Sequence, residues 1–224
     1  MTNVSKEDYL SVIYKYRGPE GSIKPNVIAE KLNITNAAVT DMLRRLAESG
    51  EVKYEKYKGI KLTVKGEEFA KTTVRRHRIW EVFLHKVIGM PWQKVHTEAH
   101  RLEHSSSDEL VSRLEEILEF PQFDPHGEPI PDKTGKVPRI KNNIPLSELG
   151  PGETSKVVKV NDDDEKFLVY ISEMGINLME NISVKEKRTF DSSLLIVVKG
   201  QQWSISDKIA KNVFVELKEA RKSK

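Results

Sequence analysis

The sequence predicts a mainly α-helical chain with a β-rich C-terminal part: a winged helix-turn-helix, a helical middle and a small β-barrel. Three observations carry this. A short helix, a tight turn and a longer helix precede an alternating basic hairpin within the first 75 residues. A helical period runs through 66–118, and after a Pro- and Gly-rich stretch the period becomes two.

In chain order, SKEDYLSVIYKY (5–16) places Tyr9, Leu10, Ile13 and Tyr16 at helical spacing, with Ser5 as N-cap. PNVIAEKL (25–32) is a short helix with Pro25 tolerated at its start, and Asn33 breaks it. Asn36–Glu48 follows, capped by Thr35 and stopped by Ser49-Gly50. VKYEKY (52–57) and IKLTV (60–64) form a hairpin turned at Lys58-Gly59. Residues 66–87 are one long helix and 92–118 one or two more. Residues 121–152 hold seven prolines and four glycines and are expected to be irregular. Strands are expected near 153–160, 167–171, 181–190, 192–198 and 213–217.

The 224 residues contain no cysteine, so no thiolate serves as ligand or nucleophile, and no apolar run is long enough to span a membrane. The N-terminus lacks a signal-peptide pattern, and a cytoplasmic location is expected. Charge is uneven. Residues 1–78 carry sixteen Lys/Arg against ten Asp/Glu, and 79–224 carry twenty-one against twenty-four. A polyanionic partner is therefore expected to meet the N-terminal part, although chance asymmetry of a solvated surface gives the same count.

The 36–48 helix is the candidate DNA reader. Thr35, Asn36, Ala37, Ala38, Thr40 and Asp41 are small or polar, as a helix set deep in a major groove requires. Arg44 and Arg45, with Lys53, Lys56, Lys58 and Lys61 on the hairpin, stand where phosphates are met. The competing structural view is a plain helical domain with solvated lysines.

Metal chemistry is indicated by KVHTEAHRLEHSSSDE, in which His96, His100, Glu103 and His104 lie on one helical stripe. His77 and Glu81 repeat the i, i+4 spacing on the preceding helix. HRLEH (100–104) also matches H-x-x-E-H of inverted zinc peptidases, so a zinc-dependent hydrolase is one alternative. A metal-independent architectural DNA binder is another. Ile79, Val82, Phe83, Leu110 and Leu114 exceed what one thin helical layer hides, which points to a homodimer.

The ordered set EDYL (7–10), RRHRIWEVFL (75–84), HTEAHRLEHSSSDE (96–109) and FPQFDPHGEPIP (120–131) resembles the diphtheria toxin repressor and manganese transport regulator family, in its three-domain form. The resemblance implies a DNA-binding domain at 1–75, a helical dimerisation and metal-binding domain at 76–140, a linker at 141–150 and an SH3-like (FeoA-like) domain at 151–224. It implies a non-enzymatic, metal-dependent repressor of metal-uptake genes. Its effector is Fe²⁺ or Mn²⁺, with Zn²⁺, Co²⁺ or Ni²⁺ accepted in vitro. It binds double-stranded operator DNA as a homodimer, with no membrane and no small organic substrate. By the same resemblance, Asp8, His100, Glu103 and His104 form the regulatory site. His100 stands where iron sensors carry cysteine and manganese sensors glutamate. The second site draws on His77 and Glu81 with His96, or with Asp124 and His126, and on an acid among Asp162, Asp163, Asp164 and Glu165, assigned as Asp162. The C-terminal domain is expected to be supportive rather than essential.

Overall fold

A computed structural model describes residues 5–55, 57–139 and 142–217; Lys56, one of the expected phosphate contacts, lies outside them. The chain divides into two compact units, Met1–His77 with Pro131–Lys136, and Arg78–Ile130 with Val137–Lys224. The division at His77 falls inside a helix.

In the first unit, α1 (Lys6–Tyr16) opens on a capping box: the Ser5 hydroxyl accepts from the Asp8 N–H, and Asp8 accepts from the Ser5 N–H. α2 (Pro25–Leu32) starts on its proline and ends at Asn33, whose left-handed φ of 51° turns the chain into α3 (Asn36–Glu48). A short β1 (Ser22–Ile23), not expected from the sequence, joins the wing strands β2 (Val52–Glu55) and β3 (Gly59–Leu62) in the order β1-β3-β2. Leu10, Ile13, Ile28, Val39, Leu43, Leu46 and Ile60 fill the core, each stabilising by about 1.5–3 kcal/mol when fully buried.

One buried carboxylate ties three elements of this unit. Glu51, 2% exposed, accepts from Lys6 of α1 at 2.7 Å, from the Ser49 hydroxyl after α3, and pairs with Lys65 at 3.2 Å. Lys65 lies at the start of α4 (Val64–Lys86). The adjacent Gly66 packs against the Glu51 carbonyl so closely that a Cβ would collide with it.

In the second unit, α5 (Trp92–Glu103) and α6 (Asp108–Ile117) are separate helices, the second capped by Ser107. Helix α4 contributes Ile79 and Val82, which pack with Val111, Leu114 and Ile130. Of the apolar residues expected to drive dimerisation, Ile79, Val82 and Leu114 are therefore covered within the chain, and Phe83 packs against them. Exposed apolar side chains of this stretch include Leu110, Ile117 and Phe120, with Val87, Ile88 and Phe123.

The C-terminal part is an antiparallel six-stranded sheet in the order β4-β9-β5-β6-β7-β8. Its strands are β4 (Asn143–Pro145), β5 (Thr154–Val160), β6 (Asn181–Lys187), β7 (Leu194–Val198), β8 (Gln201–Ile205) and β9 (Val213–Glu216). Irregularities between Val157 and Lys159 and between Val184 and Glu186 bend two of them. The strand expected at 167–171 is instead helix α7 (Glu165–Glu173). Asp164 caps it by accepting from the Lys166 and Phe167 N–H groups, and it buries Leu168 and Ile171 at i, i+3. Strand β8 and the short α8 (Asp207–Lys211) were not expected. The sheet's core includes Trp92 of α5.

Burial pushes the Glu51 carboxyl up, but hydrogen bonds from Lys6, Ser49 and Lys65 outweigh it and hold it at about 2. A depressed folded value contributes stability above the ordinary 4.5, and that stability is lost as pH falls toward 2. Glu51→Gln should cost about 1–3 kcal/mol at neutral pH. Chemical denaturation of both proteins across this range checks it: the gap must close with acid, and a pH-independent gap contradicts the assignment.

Candidate metal centres and DNA-facing helix

The capping of α3 at Thr35, whose hydroxyl accepts from the Ala38 N–H, leaves Thr35, Asn36, Ala37, Ala38 and Thr40 exposed while Val39, Leu43 and Leu46 face the core. Tyr9 of α1 braces this face, its hydroxyl donating to the Ala38 carbonyl at 3.4 Å. Asp41 holds both Arg44, at 2.6 Å, and Arg45, at 2.7 Å. On the wing, Lys58 is paired with Glu20 at 2.7 Å. Phosphates must compete with these exposed pairs, each worth a few tenths of a kcal/mol. Asp41→Asn should therefore tighten binding to random-sequence duplex roughly two- to fivefold. Anisotropy titrations at low salt test this, and an unchanged affinity would show that the pairs do not restrain the arginines.

In the second unit the expected stripe of α5 splits in two. His100 Nδ1 lies 2.9 Å and His104 Nε2 3.3 Å from the same oxygen, Glu103 Oε1. Glu103 is buried, while His100 and His104 reach solvent. His104 sits just past the helix, at its C-cap, which lets its ring turn back toward Glu103. Asp8 lies in the first unit, in the first turn of α1, where one carboxylate oxygen completes the capping box.

His96 faces elsewhere: its Nδ1 is 3.2 Å from Glu81 Oε1 and 3.4 Å from Asp162 Oδ2. Glu81, His126 and Asp162 offer ligand atoms within 4.8 Å of one another. His77 precedes Glu81 by one turn of α4, the spacing that puts both on one stripe. Of the four acids considered for the C-terminal ligand, Asp162 enters this cluster, whereas Asp164 is the α7 cap.

His126 tests whether a cation fits. Its Nε2 lies 3.0 Å from the Trp92 carbonyl, which only accepts, so Nε2 carries the ring proton. Nδ1 of the neutral ring then presents a lone pair, fully buried and without a hydrogen-bond partner, 3.8 Å from Glu81 Oε1. Two acceptors facing each other in a dry site are unfavourable, and a cation between them removes the conflict. The separation suits two bonds of about 2.1 Å. The donor set, imidazole and carboxylate, fits a borderline divalent metal.

Asp124 lies in the same loop, with one oxygen engaged by the backbone and Oδ2 buried without a hydrogen-bond partner. Its Oδ1 accepts from the His126 and Glu128 N–H groups at 2.8 and 2.9 Å, and its Oδ2 faces Arg78 Nε at 3.5 Å. Burial and the Glu81 carboxylate push its carboxyl up to about 7. Asp124 thus shapes the loop that presents His126.

Sequence reasoning did not single out the groups that aim His126. The Trp92 indole stacks on the imidazole, ring centroids 5.6 Å apart, and donates from Nε1 to Ser172 Oγ at 2.7 Å. The Val160 N–H of β5 donates to the His126 carbonyl at 2.9 Å. Gly127, with φ of 88°, lies against the Val158 carbonyl, where a Cβ would collide. The Pro-His-Gly run was the available signal. Gly127→Ala should lower stability by about 1–3 kcal/mol and move His126 away from Glu81. Thermal unfolding with metal titration checks both effects; an unaltered melting temperature and affinity would mean the loop tolerates the methyl group.

Comparison with known proteins agrees with this geometry along the chain. The family description "iron dependent repressor, N-terminal DNA binding domain" matches residues 1–60. "Iron dependent repressor, metal binding and dimerisation domain" matches residues 63–132, and "FeoA domain" matches residues 144–217. The iron-dependent repressor IdeR of Mycobacterium tuberculosis is 30% identical over 209 residues, covering 88% of this chain and 89% of its own. The regulator MntR of Lysinibacillus sphaericus is 32% identical over 125 residues, covering 56% of this chain and 89% of its own. A solved manganese-dependent transcriptional repressor in complex with manganese superposes with a TM-score of 0.86 at 32% identity, covering 94% of this chain and 98% of that one. The chain belongs to the diphtheria toxin repressor and manganese transport regulator family, in its form with an SH3-like C-terminal domain.

Proposed function

We propose that this protein is a metal-activated transcriptional repressor that binds operator DNA as a homodimer and answers to Fe²⁺ or Mn²⁺. The observation that carries the reading is Glu103. Its one carboxylate oxygen is within reach of two imidazoles, in a chain whose first unit presents an exposed, small-residue helix start flanked by arginines. Relatives named as iron-dependent and as manganese-dependent repressors support both metals. The uncovered Leu110, Ile117 and Phe120 lie on or just after α6, within the segment matched to a dimerisation domain, and are assigned to the dimer contact.

Asp8, His100, Glu103 and His104 are assigned to the regulatory site; His77, Glu81, His96, Asp124, His126 and Asp162 to the second. A bound cation supplies the positive charge that lets carboxylates and imidazoles be held together. The residues do the rest. Asp8 lies in α1 beside Tyr9, which braces α3 at Ala38. Joining Asp8 to residues about ninety positions later fixes α1, and through Tyr9 the reading helix. The Glu103 position also disfavours the hydrolase alternative, because a general base stands off the metal-binding histidines rather than sharing one oxygen with both.

Asp8→Asn separates this role from helix capping, since an amide oxygen still accepts from the Ser5 N–H but carries no charge. The variant should keep its fold and lose metal-stimulated operator binding by at least tenfold, about 1.4 kcal/mol. Operator binding titrated with Mn²⁺ and with chelator decides. A normal metal response would reduce Asp8 to a first-turn acid.

A further inference from the structure

We propose that the second centre holds two cations, bridged by the carboxylate of Glu81. This rests on the reading above that the second centre binds metal. Glu81 is fully buried on α4, and two histidines approach it from different elements, His96 from α5 and His126 from the 124–128 loop. Both approach the same oxygen, Oε1, at 3.2 and 3.8 Å.

One ion held by both histidines needs all its donor atoms within roughly 4.2–4.4 Å of one another, twice a metal–ligand bond of about 2.1–2.2 Å. Glu81 satisfies this separately on each side. Glu81 forms one set with His126 and Asp162 and another with His77 and His96, His96 also facing Asp162 at 3.4 Å; among the described residues no one set unites the two histidines His96 and His126. A single ion would therefore leave one histidine outside its reach.

Each side has its own reason to take a cation. On one, the His126 Nδ1 lone pair is buried and lacks a hydrogen-bond partner. On the other, His96 Nδ1 lies 3.2 Å from Glu81 and 3.4 Å from Asp162, two carboxylates, and His77 adds a further nitrogen to the Glu81 stripe of α4. A carboxylate shared between two divalent ions holds them about 3.5–4 Å apart. The opposing arrangement is a single ion on His126, Glu81 and Asp162, with His96 protonated and acting as the second positive charge.

Mn²⁺ alone serves as the probe, counted by equilibrium dialysis and observed by electron paramagnetic resonance on the full chain. In a Glu103→Ala/His104→Ala variant, which disables the regulatory set, about two Mn²⁺ should remain, with the spectrum of a spin-coupled pair. His96→Ala or His126→Ala added to it should each leave about one ion, with the spectrum of an isolated Mn²⁺. One uncoupled ion in the parent variant overturns the proposal while leaving the metal-binding reading intact. No bound ion overturns both. Should the double variant fail to fold, the wild-type chain carries the same test: about three ions with a coupled pair among them support the proposal, and two uncoupled ions overturn it.

Discussion

A fully buried carboxylate costs several kcal/mol unless positive charge meets it. Glu81 is such a group, set in the middle of the longest helix with Asp162 beside it and Asp124 near enough to be raised by it. Much of the second unit is arranged around that cost. Arg78, three residues earlier on the same helix, meets Asp124 and Glu128 and donates to the Pro129 carbonyl, which anchors the proline-rich loop. The loop presents His126, and strand β5 holds the loop through Val160. The buried charge thus explains why the 120s loop, α5 and the C-terminal sheet pack as one unit.

The first unit solves a related problem with protein cations alone. Glu51 is nearly as buried as Glu81, but two lysines and a hydroxyl reach it. The partners come from α1, from the end of α3 and from the start of α4, so a single charge fixes the first turn of α1 against the rest of the winged helix. Asp8 and Tyr9 lie within that turn or next to it. A rigid first turn makes Asp8 a useful lever, because a shift imposed on it is carried by the helix rather than absorbed by fraying. Glu51 completes its own charge balance; Glu81 faces a lone pair.

The winged helix was legible because each of its signals is local: Ser5 and Thr35 as caps, Asn33 as the break, and alternation in the wing. The regulatory trio was legible for the same reason, since i, i+3 and i+4 spacing follows from one helix. What the sequence hid was set by distant partners. Leu168 and Ile171 sit in a segment whose apolar residues also fit a strand, and only the Asp164 cap and the packing of the sheet make it a helix. Trp92 reads as the start of an amphipathic helix, yet its indole belongs to a core built some seventy residues later. Asp124 and His126 stand two apart and look alike as ligands. Their different surroundings, Arg78 and two backbone N–H groups about Asp124 and the Trp92 ring and carbonyl about His126, are what no spacing reveals.

Exposure separates the two centres in a way that suits different tasks. In the regulatory trio the His100 side chain is 50% exposed and His104 28%, with only Glu103 buried. In the second centre Glu81 and His126 are fully buried, while His96 is 36% exposed. Ligands open to water let ions exchange with the surrounding pool, so occupancy follows availability, which a sensor needs because raw affinity favours the wrong metals. Ligands closed to water hold an ion as part of the structure, as closed sites do elsewhere. The second centre also lies where α4, α5, the His126 loop and the segment leading into α7 converge. A floppy trio would bind its effector weakly, because ordering four side chains at the moment of binding costs free energy that a preorganised set does not.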